Sequence, residues 1–204
     1  SAVKNRADLV IFQKATTTQS GRIREKKQRN PKETEIVSHR EAIDRGMISV
    51  WNKLYRKSLF FGIRYPEGYV YEDIATTHKV IYKAKRIVII QDVLIYHRIR
   101  RDSISSSKTV RSVQDKFRHQ ILRYQDLVEQ EYPEKKIRMK LLSGALSYCV
   151  YVPHFENEEL FRYAERVISM EKTVPRNWPA KKKLAFRMWK TNRSLFYGSC
   201  RFYR

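Results

Sequence analysis

The apolar residues of this chain change their period near Lys108, and that change restricts the available folds more than any other feature. Before it, β-branched and aromatic residues come in short runs bounded by polar or breaker residues. After it, they recur every three or four positions. Such a chain is expected to form an α/β unit over residues 1–107 and a helical unit over residues 108–204. Only six glycines and six prolines interrupt the 204 residues, so most of them belong to regular elements.

In the first unit, residues 8–12 (Asp-Leu-Val-Ile-Phe) predict a buried strand. A core strand so near the first residue suggests that the natural protein extends further upstream. Residues 16–35 are polar, with Gly21 and Pro31 as breakers, and predict a loop or hairpin. Ser38 and Glu41 form a capping-box pattern that opens a short helix ending near Gly46. Further elements follow: a strand over 48–55, a short helix over 57–60, a helix over 71–83, and strands over 86–90 and 93–99 joined at Gln91-Asp92. A polar turn at 103–107 closes the unit. Four helices are then expected, the first ended by Pro133 and the second near Pro153. The last begins after Pro179 and sets Leu184, Met188, Trp189, Leu195 and Phe196 against a basic face.

Forty-three Lys and Arg against 21 Asp and Glu give a formal charge of +22. Such a surface attracts phosphate in nucleic acid, anionic lipid or a nucleotide diphosphate. Cys149 lies in an apolar run and reads as a buried thiol, far from Cys200, so neither a disulfide framework nor a metal site follows. A reducing compartment is the simpler setting. No run of about 18 apolar residues predicts a spanning helix, and the opening residues do not resemble a signal peptide.

The chemistry concentrates between Val50 and Ser105. Trp51-Asn52-Lys53-Leu54-Tyr55-Arg56 is followed by Gly62-Ile63-Arg64-Tyr65-Pro66-Glu67-Gly68, then Glu72-Asp73, Tyr96-His97-Arg98 and Arg101-Asp102-Ser103. Glu72 and Asp73 fall where a Gly/Pro-rich loop turns into a helix. There a carboxylate accepts hydrogen bonds from free amides and gains from the helix dipole, so the pair alone reads as a cap.

Taken together, this order of motifs resembles the family-two inverting glycosyltransferases over about residues 5–107. The resemblance implies part of a GT-A-type α/β sandwich followed by a helical extension. It implies transfer of a sugar from a nucleotide-sugar donor to a glycan or lipid-linked acceptor, in bacterial polysaccharide or glycoconjugate assembly. Asp73 is then the general base, because an attacking hydroxyl must lose its proton as the new bond forms. Glu72 would position the acceptor or tune Asp73. Trp51, Asn52 and Lys53 would lie on the acceptor side, with a plain core role for Trp51 as the alternative. Arg98, Arg101 and Ser103 would bind the donor diphosphate or form an ordinary basic turn. His97 is a third metal ligand in one reading, and its alternation with Tyr96 and Arg98 on a strand favours a packing or surface role. His39, His78, His119 and His154 suggest local packing.

The family holds a divalent metal, manganese or magnesium, on the diphosphate through an Asp-x-Asp motif. This sequence contains no Asp-x-Asp and no opening nucleotide-binding strand. The chain therefore reads as the acceptor-side piece of an enzyme, inactive alone, whose full-length form takes the metal. Its expected setting is cytoplasmic, peripheral at the inner face of the membrane, and an open sheet edge would allow pairing with a second copy. The tail 172–204 has ten basic residues, no acidic one and seven aromatics. It reads as a solvated helix face, an anionic-membrane contact or a nucleic-acid contact. Nucleic acid rests on charge alone, since zinc spacing, RNP-like and helix-turn-helix signatures are missing. The competing class is a non-catalytic basic module that holds anionic lipid or nucleic acid.

Overall fold

Strand β1 (Leu9–Thr17) organises the first unit. In this computed structural model, which describes residues 2–18, 20–21, 23–24, 34–100, 103 and 109–200, residues 1–107 and 108–204 form two separate units. β1 pairs in parallel with β5 (Ile87–Arg98) and antiparallel with β2 (Ile23–Arg24) and β4 (Lys53–Tyr55). β3 (Glu35–Val37) lies antiparallel on the outer side of β5. The sheet order is β2-β1-β5-β3, with β4 beside the first residues of β1. Two parallel neighbours require a crossover, and helices α1 (His39–Asp44) and α2 (Glu72–Lys83) lie within it.

Alternation along the strands divides the buried residues between the two sheet faces. Val10, Val88 and Ile90 cluster on one, with Ala2, Ala7 and Phe12 packed against them. Leu9, Ile11, Ile87 and Ile89 take the other and are almost wholly enclosed. Each such side chain contributes about 2 kcal/mol by leaving water.

Several local expectations change. β1 runs on to Thr17, because the second half of β5 continues to pair with it. The two strands expected at 86–90 and 93–99 are one twelve-residue strand. The pairing steps from Ile11–Ile89 to Gln13–Val93, so Gln91 and Asp92 are absorbed as a bulge and do not form a turn. The strand expected over 48–55 shrinks to Lys53–Tyr55, because the side chains of Lys53 and Tyr55 hold the preceding residues in a turn. At α1, Ser38 accepts from the Glu41 amide as predicted, while the Glu41 carboxylate turns to Arg45, which also grips Glu35. The short helix over Lys57–Phe60 is of the 3-10 type, and α2 starts one residue later than expected.

Among its described residues the second unit has helices and no strand: α3 (Val110–Glu129), α4 (Glu134–Tyr151), α5 (Glu158–Met170), α6 (Ala180–Thr191) and α7 (Arg193–Cys200). Phe117, Tyr148, Phe161, Trp189 and Phe196 build its core. Gly144 brings α4 close to α3. A Cβ there would stand 1.7 Å from Gln120 Oε1 and 3.2 Å from the Phe117 ring. The expected fourth helix divides at Asn192, whose side chain accepts from the Leu195 amide and caps α7. The apolar face expected there is also divided. Trp189 and Phe196 are 2% and 1% exposed and belong to the helical core, while Leu184 and Leu195 face outward. The tail therefore turns its largest apolar groups into its own unit. No helix among the described residues is long and apolar enough to cross one.

Candidate active site

The turn before β4 is tied to β1 by one side chain. Asn52 donates from Nδ2 to the Phe12 carbonyl at 3.2 Å, and its own carbonyl accepts from the Phe12 amide at 3.2 Å. Its Oδ1 accepts from Lys53 Nζ at 3.0 Å. Lys53 also donates to the Ser49 carbonyl, and Tyr55 donates to the Val50 carbonyl at 3.0 Å. Lys53 and Tyr55 are two apart on a strand and so share a face, from which both reach back into the turn. Lys53 is only 8% exposed. Burial brings its pKa down to about 8; Asp73 supports the charge, and Lys14 opposes it.

Asp73 enters this arrangement from α2. Its helix begins after Tyr71, a non-glycine residue in the left-handed region (φ 62°, ψ 31°). A bulky residue costs about 1–3 kcal/mol in that conformation. The chain thus turns sharply from the loop carrying Gly62 and Gly68 and places Glu72 and Asp73 in the first helical turn. There the partial positive charge of the helix start favours carboxylates. Asp73 is felt by Lys53, Tyr55 and Tyr65, and Glu72 by Tyr65. Burial is the main cause that raises both tyrosines, so they remain neutral phenols. Tyr65 hydroxyl pairs with Thr77 Oγ1 at 3.1 Å, and Phe60 lies against both tyrosine rings.

A second group lies further along the sheet. Trp51 stacks on His97 with ring centroids 5.2 Å apart and 10° between planes, and the Lys14 ammonium sits 4.6 Å from the Trp51 ring centre. His97 is exposed on β5 apart from this stack. Arg98 ends β5 exposed, paired in register with Thr17. The Ser103 amide reaches the Arg100 carbonyl at 3.4 Å, while Arg101 lies outside the described residues. The structure thus brings Asn52, Lys53 and Asp73 together and groups Trp51 with His97. Lys14, Tyr55 and Tyr65 join these groups without having been singled out. Tyr55 and Tyr65 stood inside the quoted motifs, whereas Lys14 appears only once β1 extends past Phe12.

A mixed sheet with crossover helices followed by a helical region defines the class of fold. No family model matches the chain, and no curated protein does. Among solved structures, that of Staphylococcus aureus TarS residues 1–349 in complex with UDP-GlcNAc shares the fold, with a TM-score of 0.56 and 19% identity. The match covers 98% of this chain and 60% of that one, so this chain spans less than two thirds of the TarS chain it resembles.

Proposed function

We propose that this chain is the acceptor-side portion of a glycosyltransferase that uses a nucleotide-sugar donor and inverts the transferred sugar. The observation that carries the reading is Asp73, set at a strained helix start beside buried Lys53 and two neutral tyrosines. The fold shared with a chain that holds UDP-GlcNAc supports the donor class.

In the proposed step an acceptor hydroxyl attacks the anomeric carbon while the bond to the diphosphate oxygen breaks on the opposite side. The hydroxyl proton passes to the Asp73 carboxylate as the new C–O bond forms. Lys53 supplies a positive charge near that carboxylate below about pH 8, and Glu72 lies in the same helix turn. Trp51, Asn52 and Lys53 shape the acceptor side, and Arg98, Arg101 and Ser103 serve the donor phosphates. The metal implied by the resemblance finds no ligand set among the described residues. The sequence has no Asp-x-Asp, and among the described residues no three His, Cys, Asp or Glu side chains gather to hold an ion.

The test is Asp73→Asn in the full-length protein, with transfer and donor affinity measured separately. Transfer should fall about a hundredfold or more while donor affinity stays within about threefold. A variant that keeps more than about a tenth of the rate would remove Asp73 from the role of base.

A further inference from the structure

The helical unit holds a cavity of about 960 Å³ between α4, the segment 171–179 and the start of α6. Its walls carry four cations, Arg138, Lys140, Arg176 and Lys182, and two carboxylates, Glu134 and Glu171. Both carboxylates are engaged by the protein. Glu134 accepts from the Tyr124 hydroxyl at 2.7 Å, and Glu171 takes Arg138 at 3.1 Å together with the amide and hydroxyl of Thr173. Two of the cations are not matched in this way. Arg138 is held by Glu171, and Lys182 donates to Ser143 Oγ with its ammonium 4.6 Å from the Trp178 ring centre. Lys140 and Arg176 have no ion-pair partner among the described residues.

We infer that this cavity binds a small phosphorylated polyol of the sugar-phosphate class. The positive charge of Lys140 and Arg176 selects an anion, and a guanidinium offers forked donors suited to phosphate oxygens. The volume exceeds what a lone phosphate needs. Asn177 and Thr173 supply neutral hydrogen-bonding groups for hydroxyls, and the partly exposed Trp178 supplies an apolar wall. Pro175 and Pro179 restrict the segment that carries them. The site lies wholly within the helical unit and is independent of the proposed transfer chemistry.

The experiment titrates the 204-residue chain with glucose 6-phosphate, glucose and inorganic phosphate by calorimetry. A matched pair of double variants separates a site from bulk charge. Lys140→Gln/Arg176→Gln and Arg166→Gln/Arg187→Gln each lower the net charge by two, but only the first pair lines the cavity. The expected result is that glucose 6-phosphate binds at least about tenfold more tightly than either fragment. The cavity pair should weaken it about tenfold and the pair outside the lining less than about threefold. Tryptophan fluorescence should change on binding and lose that change in Trp178→Phe but not in Trp51→Phe. Equal weakening by the two pairs, binding no tighter than inorganic phosphate, or absence of binding would each overturn the inference.

Discussion

Lys53 shows how much a single side chain can report about the candidate site. Its folded pKa of about 8 lies below the ordinary 10.5, so the unfolded chain binds more protons between those values. Stability contributed through Lys53 is therefore lowest below about pH 8 and rises with pH up to about 10.5, by about 3 kcal/mol in all. Against a Lys53→Met reference, wild-type stability should improve over that window, as read by urea denaturation at a series of pH values. A flat difference would mean that the ammonium is not desolvated. The lysine resonance itself should titrate near 8, move lower in Asp73→Asn and move higher in Lys14→Gln, since Asp73 supports the charge and Lys14 opposes it. The sequence displayed Lys53 and Asp73 within recognisable motifs, twenty residues apart. It did not display their proximity, which depends on β4 pairing with β1 and on the left-handed turn at Tyr71.

Elements were readable where a signal was local and unreadable where pairing decided. The helix over 71–83 followed from its periodicity, and α2 lies there. The long β5 did not, because Gln91-Asp92 carries the chemistry of a turn and only the neighbouring strand turns it into a bulge. Caps divide in the same way. The Ser38–Glu41 pattern was visible, and one of its bonds forms. The full capping box at the head of α3 uses Thr109 and Ser112, each side chain accepting from the other's amide. It escaped notice because serine, not glutamate or glutamine, stands at the third position. Thr109→Ala should therefore cost about 1 kcal/mol of stability, measured by chemical denaturation. An unchanged midpoint would show that the helix start is held by packing alone.

For the molecule as a whole, charge and topology were legible to different degrees. The change of period near Lys108 announced sheet with helices first and helices after, and the fold follows that order. The tail illustrates the limit. Its basic composition is plain in the sequence, but which aromatic groups turn inward depends on the helices beneath them, so Trp189 and Phe196 could not be assigned from spacing. A formal +22 on 204 residues means substantial self-repulsion, and exposed pairs such as Arg162 with Glu158 offset little of it. Raising sodium chloride from about 50 to about 500 mM should therefore raise the melting temperature, because screening shortens the reach of like-charge repulsion. A fall would mean that the ion pairs outweigh the net charge.

The bulged strand has a consequence for time as well as shape. β5 is sealed from Ile87 to Ile90 and open to solvent over much of its length from Asp92 onward, so one strand joins a protected end to an exposed end. β3 covers only Ile87–Ile89. Amide protons there should exchange with deuterium near the rate of global unfolding, whereas those from Val93 to Arg98 should exchange through local fraying, orders of magnitude sooner. The Trp51–His97 stack stands on the fraying end, while Lys53 is built against the sealed one through Ile11. A ligand resting on Trp51 would therefore register first as slowed exchange along the last residues of β5.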